Sequence, residues 1–285
     1  MRTINSTLLY LFVFLILNGF LPTIVILSYL LLSHNGIGEA MAAINDGSYL
    51  SHVTPLLIGE YVASLAILAV FIMRKWASWS ADYLKGRPWR ECLWCVVMAI
   101  GTIVPSMVLQ QWMPEPSEQT AQLMRSIMSN PWGGLSVCII VPLVEETVFR
   151  GAVLRRLLSG IPGQWTAISL SALIFGIAHM NFAQLPHAFL LGMLLGWAYC
   201  LTGSIVPGLV IHSVNNTIVY LLSLAMPEME EMTMTEMFGG TLRLTLAVVL
   251  SLFILLFALK QILRYHAGVS LCSPCKDDRE IKNDR

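Results

Sequence analysis

The stretch VPLVEETVFRGAVLRRL, residues 141–157, carries Glu145, Glu146 and Arg150 inside a run that is otherwise apolar. Ionised side chains at the centre of a bilayer each cost at least about 2.5 kcal/mol, so they normally face a protein interior and mark function. The stretch therefore predicts a membrane-embedded helix that carries polar chemistry on one face.

The composition is typical of a membrane protein. Of the 285 residues, 56% are hydrophobic and only 12% are charged, about half the share of roughly 25% found in soluble domains. The formal net charge is zero, and the short basic clusters in the loops give no indication of a nucleic-acid partner.

We predict an all-α fold, a polytopic membrane helical bundle of about eight transmembrane helices. The apolar spans lie near 8–32, 55–73, 91–112, 132–158, 164–180, 184–201, 205–225 and 241–263. They divide the chain into N-terminal helices 1–3 (1–129), a core that contains the polar motifs (130–225), and a last helix with a short tail (226–285).

The loops also predict an orientation. If the N-terminus is cytoplasmic, all but Arg125, Arg243 and the intramembrane Arg150 of the 17 Lys and Arg residues lie on the inner side. This asymmetry follows the positive-inside rule. We therefore expect an integral, multi-pass protein with both termini in the cytoplasm, in the plasma (inner) membrane if the source is bacterial.

The spacing of the charged residues separates the two acids. Because an α-helix turns about 100° per residue, Glu146 and Arg150 lie on one face and can pair. Glu145 is rotated away from Arg150, which leaves its carboxylate for general-base chemistry. The alternative is that all three residues form a structural charge cluster that joins helices.

Two further polar inserts follow in later spans. ALIFGIAHMNF contains Phe175 and His179, and LVIHSVNNTIV contains His212 and Asn216. Each insert alone is compatible with simple helix–helix hydrogen bonding. Together with Glu145 they supply the groups that activate water and stabilise an oxyanion. A carboxylate and two imidazoles also suit Zn²⁺ or another divalent metal.

The sequence resembles the CPBP family of intramembrane proteases, which includes CAAX prenyl endopeptidases and bacteriocin-processing relatives. The family motifs EExxxR, FxxxH and HxxxN stand in order at 145–150, 175–179 and 212–216. The resemblance covers roughly residues 130–220.

The resemblance implies a role for each motif residue. Glu145 would activate the attacking water with His179, while His212 and Asn216 would stabilise the oxyanion. The supporting residues would be Glu146, Arg150 and Phe175. The family has been described both as glutamate-type and as metal-dependent, so either no cofactor or a metal held by Glu145, His179 and His212 is implied.

We therefore expect an intramembrane endopeptidase that cleaves a membrane-associated or lipidated peptide or protein substrate. The site should lie in a water-filled cavity, because non-helical backbone at membrane depth must be satisfied by protein or water. The alternatives are a catalytically silent scaffold or regulator of the same fold and an ion-coupled transporter. The sequence shows no inverted repeat that would favour a transporter.

Six cysteines include two CxxC pairs, Cys92/Cys95 and Cys272/Cys275. The long spacing between the pairs favours reduced thiols over a shared metal site. We expect Cys138 to be a core residue.

Cys200 is also expected in the core, and Glu60 at a helix interface. His187 is expected either at an interface or behind the site. Gly192 and Gly196 form a small-xxx-small pattern that favours close helix packing.

Overall fold

The computed structural model describes residues 2–33, 37–77, 81–85, 88–230 and 232–267. Within these ranges the chain is helical and contains no β-strand. The predicted all-α helical bundle is therefore confirmed. Cys272 and Cys275 lie outside the described residues.

Eight helices correspond to the eight predicted spans. They are α1 (Arg2–Ser33), α2 (Val53–Met73), α3 (Trp89–Gln111), α4 (131–158), α5 (Gln164–Ala178), α6 (Leu185–Thr202), α7 (Val206–Ala225) and α8 (Thr241–Tyr265). Shorter α-helices cover Ile37–Asn45, Ala81–Lys85, Glu118–Met128 and Met234–Met237, and single 3₁₀ turns cover Ser48–Ser51 and Pro227–Glu230.

Six of these helices, all except α4 and α5, are long and apolar enough to cross a membrane by length and composition. The chain is thus a multi-pass integral membrane protein. Helix α5 has 15 residues and is about 22 Å long, shorter than the roughly 30 Å of a hydrocarbon core. The helical bundle is therefore confirmed, but the predicted number of eight membrane crossings is only approximate.

Helix α4 is continuous but changes its winding. It begins at Asn130, whose side chain caps the N–H of Trp132, and has Pro131 in its first turn. The backbone is π-helical at Ser136–Ile140, α-helical at Val141–Glu145 and π-helical again at Glu146–Leu154. All nine residues of the second π segment are buried, so α4 forms the centre of the bundle.

The other helices pack around α4 in pairs. Helix α1 packs on α2, α5 on α6, and α3 on both α7 and α8. Short connections hold α5, α6 and α7 together. Helix α6 ends at Gly203 in the left-handed conformation (φ 68°), and α7 begins only three residues later. This tight turn places α7 beside α6 and brings its polar face towards α4.

The close contact between α3 and α8 depends on a glycine. A Cβ built at Gly101 would lie 2.7 Å from the backbone nitrogen of Leu255 and 2.9 Å from the carbonyl oxygen of Ser251. Backbone atoms cannot move aside as the tip of a side chain can. Gly101 therefore allows the two helices to approach each other.

We predict that Gly101→Ala separates α3 from α8 and lowers the free energy of unfolding by about 1–3 kcal/mol, as overpacking typically does. Thermal unfolding of the purified protein in detergent measures the effect. Gly19→Ala is the matched control, because a Cβ at Gly19 meets nothing within 4 Å. Equal melting temperatures for the two variants would contradict the prediction.

Candidate functional site

The first motif forms a buried ion pair inside the π-helical segment of α4. Arg150 Nη1 donates a hydrogen bond to Glu146 Oε1 over 2.8 Å, and the two side chains are 1% and 0% exposed. The pairing predicted from the i, i+4 spacing is confirmed. The second terminal nitrogen, Arg150 Nη2, lies 3.4 Å from the carbonyl oxygen of Gly192 on α6.

His212 of α7 joins the two acids of α4. Its Nδ1 lies 3.1 Å from Glu146 Oε1, and its Nε2 lies 3.6 Å from Glu145 Oε2. A carboxylate that is already bonded to Arg150 can only accept, so His212 Nδ1 carries a proton and donates a hydrogen bond to Glu146. Both acids therefore converge on one imidazole.

This convergence was not expected from the sequence. The prediction used the 100° rotation of an α-helix, by which Glu145 and Glu146 diverge. Glu145 and Glu146 do diverge, but they meet different nitrogens of the same imidazole: Glu146 lies at Nδ1 and Glu145 at Nε2. The ring of His212 therefore reaches both carboxylates from α7.

Glu146 fits because α7 has a glycine opposite it. Glu146 Oε2 is buried without a hydrogen-bond partner, and a Cβ built at Gly208 would lie 2.7 Å from it. Glu146 Oε1 is held by Arg150 and His212, so the carboxylate cannot easily shift. Gly208 was not among the residues predicted from the sequence. Its spacing of four residues before His212, on the same helical face, was the available signal.

Phe175 of α5 packs at the centre of the site, as predicted. The guanidinium carbon of Arg150 lies 4.4 Å from the centre of its ring, a cation–π geometry. The rings of His179 and His212 meet the Phe175 ring edge-on, with centroids 4.8 and 5.9 Å away. One buried aromatic ring thus contacts a residue from each of the three motifs.

His179 follows the last residue of α5 and is partly buried. Its Nδ1 lies 2.9 Å from the carbonyl oxygen of Phe175. Because a carbonyl only accepts, Nδ1 carries the proton, and a neutral ring keeps a lone pair on Nε2. Among the ion pairs of the described residues, Glu145 pairs with His212 and not with His179.

Asn216 lies one turn after His212 on α7. Its Nδ2 donates to the carbonyl oxygen of Val137 on α4 over 3.0 Å. Its Oδ1 lies 3.4 Å from Nδ2 of Asn215, which is buried. The amide of Asn216 therefore has a defined orientation between α4 and α7.

Two other ionisable residues lie beside the motifs. Glu60 of α2 is half-buried and is an electrostatic neighbour of Glu145. His187, near the start of α6, is an electrostatic neighbour of His179 and His212. Glu60 thus lies near a residue of another helix, as expected at a helix interface, and His187 lies near the two motif imidazoles.

The packing of α6 on α5 follows the predicted small-residue pattern. A Cβ at Gly192 would lie 3.0 Å from the Cβ of Ala172, and one at Gly196 would lie 3.0 Å from Ile168. The close approach of α6 also brings the Gly192 carbonyl to Arg150. The cysteines at 138 and 200 are buried, as expected.

The three motif side chains do not form a metal site in this structure. Within the described part of the chain, no three His, Cys, Asp or Glu side chains form a group that could hold one. The set Glu145, His179 and His212 therefore does not have the geometry of a metal site here. The requirement for a metal stays a prediction.

Two open cavities lie side by side at the N-terminal end of α2, with volumes of about 350 and 530 Å³. They share Thr54 and Ile58, and no motif residue lines either of them. The water-filled cavity expected at the site stays a prediction. Glu145 is nevertheless the open acid of the pair, since its side chain is 14% exposed while that of Glu146 is 0% exposed.

Comparison with known proteins adds evidence for the same segment of the chain. Residues 127–218 match the family model described as Type II CAAX prenyl endopeptidase Rce1-like. A protein of Staphylococcus aureus (strain USA300), described as "Membrane-embedded CAAX protease MroQ", is 32% identical over 148 residues. The aligned region is 50% of this chain and 60% of that relative's length.

No solved structure matches significantly. The matched segment contains all three motifs and the helices that bring them together. The resemblance to the CPBP family of intramembrane proteases, of which CAAX prenyl endopeptidases are members, is therefore confirmed over residues 127–218.

Proposed function

We propose that the chain is an intramembrane endopeptidase that hydrolyses a peptide bond in a membrane-associated or lipidated substrate. The observation that carries the proposal is that Glu145 and His212 lie 3.6 Å apart. The rings of His179 and His212 both contact the ring of Phe175. A carboxylate and two imidazoles are costly to place on apolar membrane helices, so their presence there favours a function. The family match over the same residues supports this interpretation.

In the proposed reaction Glu145 is the general base and His179 positions the water. Glu145 accepts one proton of the water as its oxygen attacks the scissile carbonyl carbon. His179 Nε2, which has its lone pair because Nδ1 donates to Phe175, accepts a hydrogen bond from the other proton. The tetrahedral intermediate then collapses, the C–N bond breaks, and Glu145 returns its proton to the leaving amine.

His212 and Asn216 are proposed to stabilise the oxyanion. His212 Nδ1 already donates to Glu146, so Nε2 can donate only if the ring is an imidazolium. The charges of Glu145, Glu146, Arg150 and His212 then sum to zero. When Glu145 gains the water's proton and the carbonyl oxygen becomes negative, the sum is unchanged. A buried site that stays neutral avoids a desolvation penalty in the transition state.

We predict that Glu145→Gln and His179→Ala each lower cleavage at least about a hundredfold, as expected when a general base or its partner is removed. Comparing membrane proteomes of the wild-type and variant strains should reveal an uncleaved precursor that accumulates in both variants. Glu228→Gln, at an exposed acid, is the control and should cleave normally. Normal processing in the Glu145→Gln strain would favour the scaffold alternative.

The neighbouring acid should behave differently. We predict that Glu146→Ala destabilises the protein by about 3–5 kcal/mol, because it leaves Arg150 buried without its partner. Glu145→Ala should cost much less, since its carboxylate is partly exposed. Thermal unfolding in detergent measures both. Combining Glu146→Ala with Arg150→Met should recover part of the loss, and no recovery would contradict the ion-pair explanation.

We also propose that both termini are cytoplasmic. The helices α2, α4 and α8 end next to basic residues, namely Arg74, Lys75, Arg155, Arg156 and Arg264, which favour the inner side. A C-terminal fluorescent protein that folds only in the cytoplasm should fluoresce, and an alkaline phosphatase fusion at the same point should be inactive. The reverse pattern would overturn the orientation.

A further inference from the structure

The first π-helical segment of α4 leaves one carbonyl without a helical donor. The N–H of Val141 bonds to the carbonyl oxygen of Ser136, five residues earlier. The next π-helical hydrogen bond would join the N–H of residue 142 to the carbonyl of Val137. Residue 142 is proline, which has no N–H. The Val137 carbonyl therefore needs a donor from outside the backbone of α4.

Asn216 supplies that donor. Its Nδ2 lies 3.0 Å from the Val137 oxygen. A carboxamide can be turned by 180° about its last bond, which would exchange its oxygen and nitrogen. Turning the Asn216 amide would place two acceptors face to face, since the Val137 carbonyl cannot donate. The side-chain oxygen of Asn216 also faces Nδ2 of Asn215 at 3.4 Å, which favours the same orientation.

We propose that Pro142 is a positioning residue that fixes the amide of Asn216 through the Val137 carbonyl. One N–H of Asn216 Nδ2 is bound to Val137, and the second N–H is then held ready for the oxyanion. The inference rests on the proposed function, because it assigns Pro142 a part in the same reaction. It differs from a simple packing or kinking role for Pro142 in requiring that the effect pass through Asn216.

The role is tested by a double-mutant cycle in activity. Pro142→Ala restores an N–H that competes for the Val137 carbonyl, so kcat should fall about tenfold with KM unchanged. The assay uses purified protein in liposomes and a fluorogenic peptide that carries the cleavage segment of the precursor found with Glu145→Gln. In the Asn216→Ala background, Pro142→Ala should cause no further loss, because coupled residues are not additive.

A second cycle measures the hydrogen bond without any substrate. Asn216→Ala should lower the melting temperature of the wild type by about 3 °C, since the Val137 carbonyl loses its donor. In the Pro142→Ala background the same substitution should have little effect, because the restored backbone N–H has taken the place of the Asn216 donor. This cycle stands even if the protein cleaves nothing, so failure of the proposed function and failure of the positioning role can be told apart.

Pro22→Ala is the matched control, because Pro22 is also a proline inside a helix but lies in α1 against Gly59. Pro22→Ala should leave kcat unchanged, and it should not alter the effect of Asn216→Ala on kcat or on the melting temperature. The inference is overturned if Pro142→Ala keeps wild-type kcat, or if its losses multiply with those of Asn216→Ala. It is also overturned if Asn216→Ala lowers the melting temperature equally in both backgrounds.

Discussion

The buried contact between Glu146 and Arg150 is the constraint on which the core depends. Enclosing an acid and a guanidinium away from water costs several kcal/mol per ion unless their remaining polar atoms are bonded. Residues of three other helices contact the polar atoms of this ion pair. His212 donates to the same carboxylate oxygen, Gly192 offers its carbonyl to Arg150, and Phe175 places its ring under the guanidinium.

These contacts tie α4 to α5, α6 and α7 at one point, and that point determines where the reactive groups lie. Glu145 precedes Glu146 by one residue, and His179 follows Phe175 by one turn. Each therefore reaches the site through a neighbour that is already fixed. Of the two acids only Glu145 has a partly exposed side chain, at 14%. The Glu146–Arg150 ion pair thus fixes the helices relative to one another, and Glu145 remains available for the proposed reaction.

The sequence predicted the parts of this arrangement that depend on local periodicity. Apolar runs located the helices, and the i, i+4 spacing correctly paired Glu146 with Arg150. The meeting of both acids on His212 could not be predicted, because it depends on how α7 packs against α4, and the spacing of residues along one helix does not determine that packing. Gly208 was missed for another reason. Glycine is common in membrane helices, and its importance appears only once Glu146 is seen to lie against it.

The irregular winding of α4 also explains how polar groups are satisfied at membrane depth. Several of its carbonyls accept hydrogen bonds from side chains, among them Val137 from Asn216, Leu143 from Thr147, and Phe149 from Ser171. A substrate peptide bond would meet the same physical problem, because its carbonyl must leave a helix before water can attack it. In the proposed reaction His212 and Asn216 would offer that carbonyl side-chain donors, as the bundle does for α4. A fold that stabilises its own loosened helix in this way is well suited to hold an unwound segment of another chain.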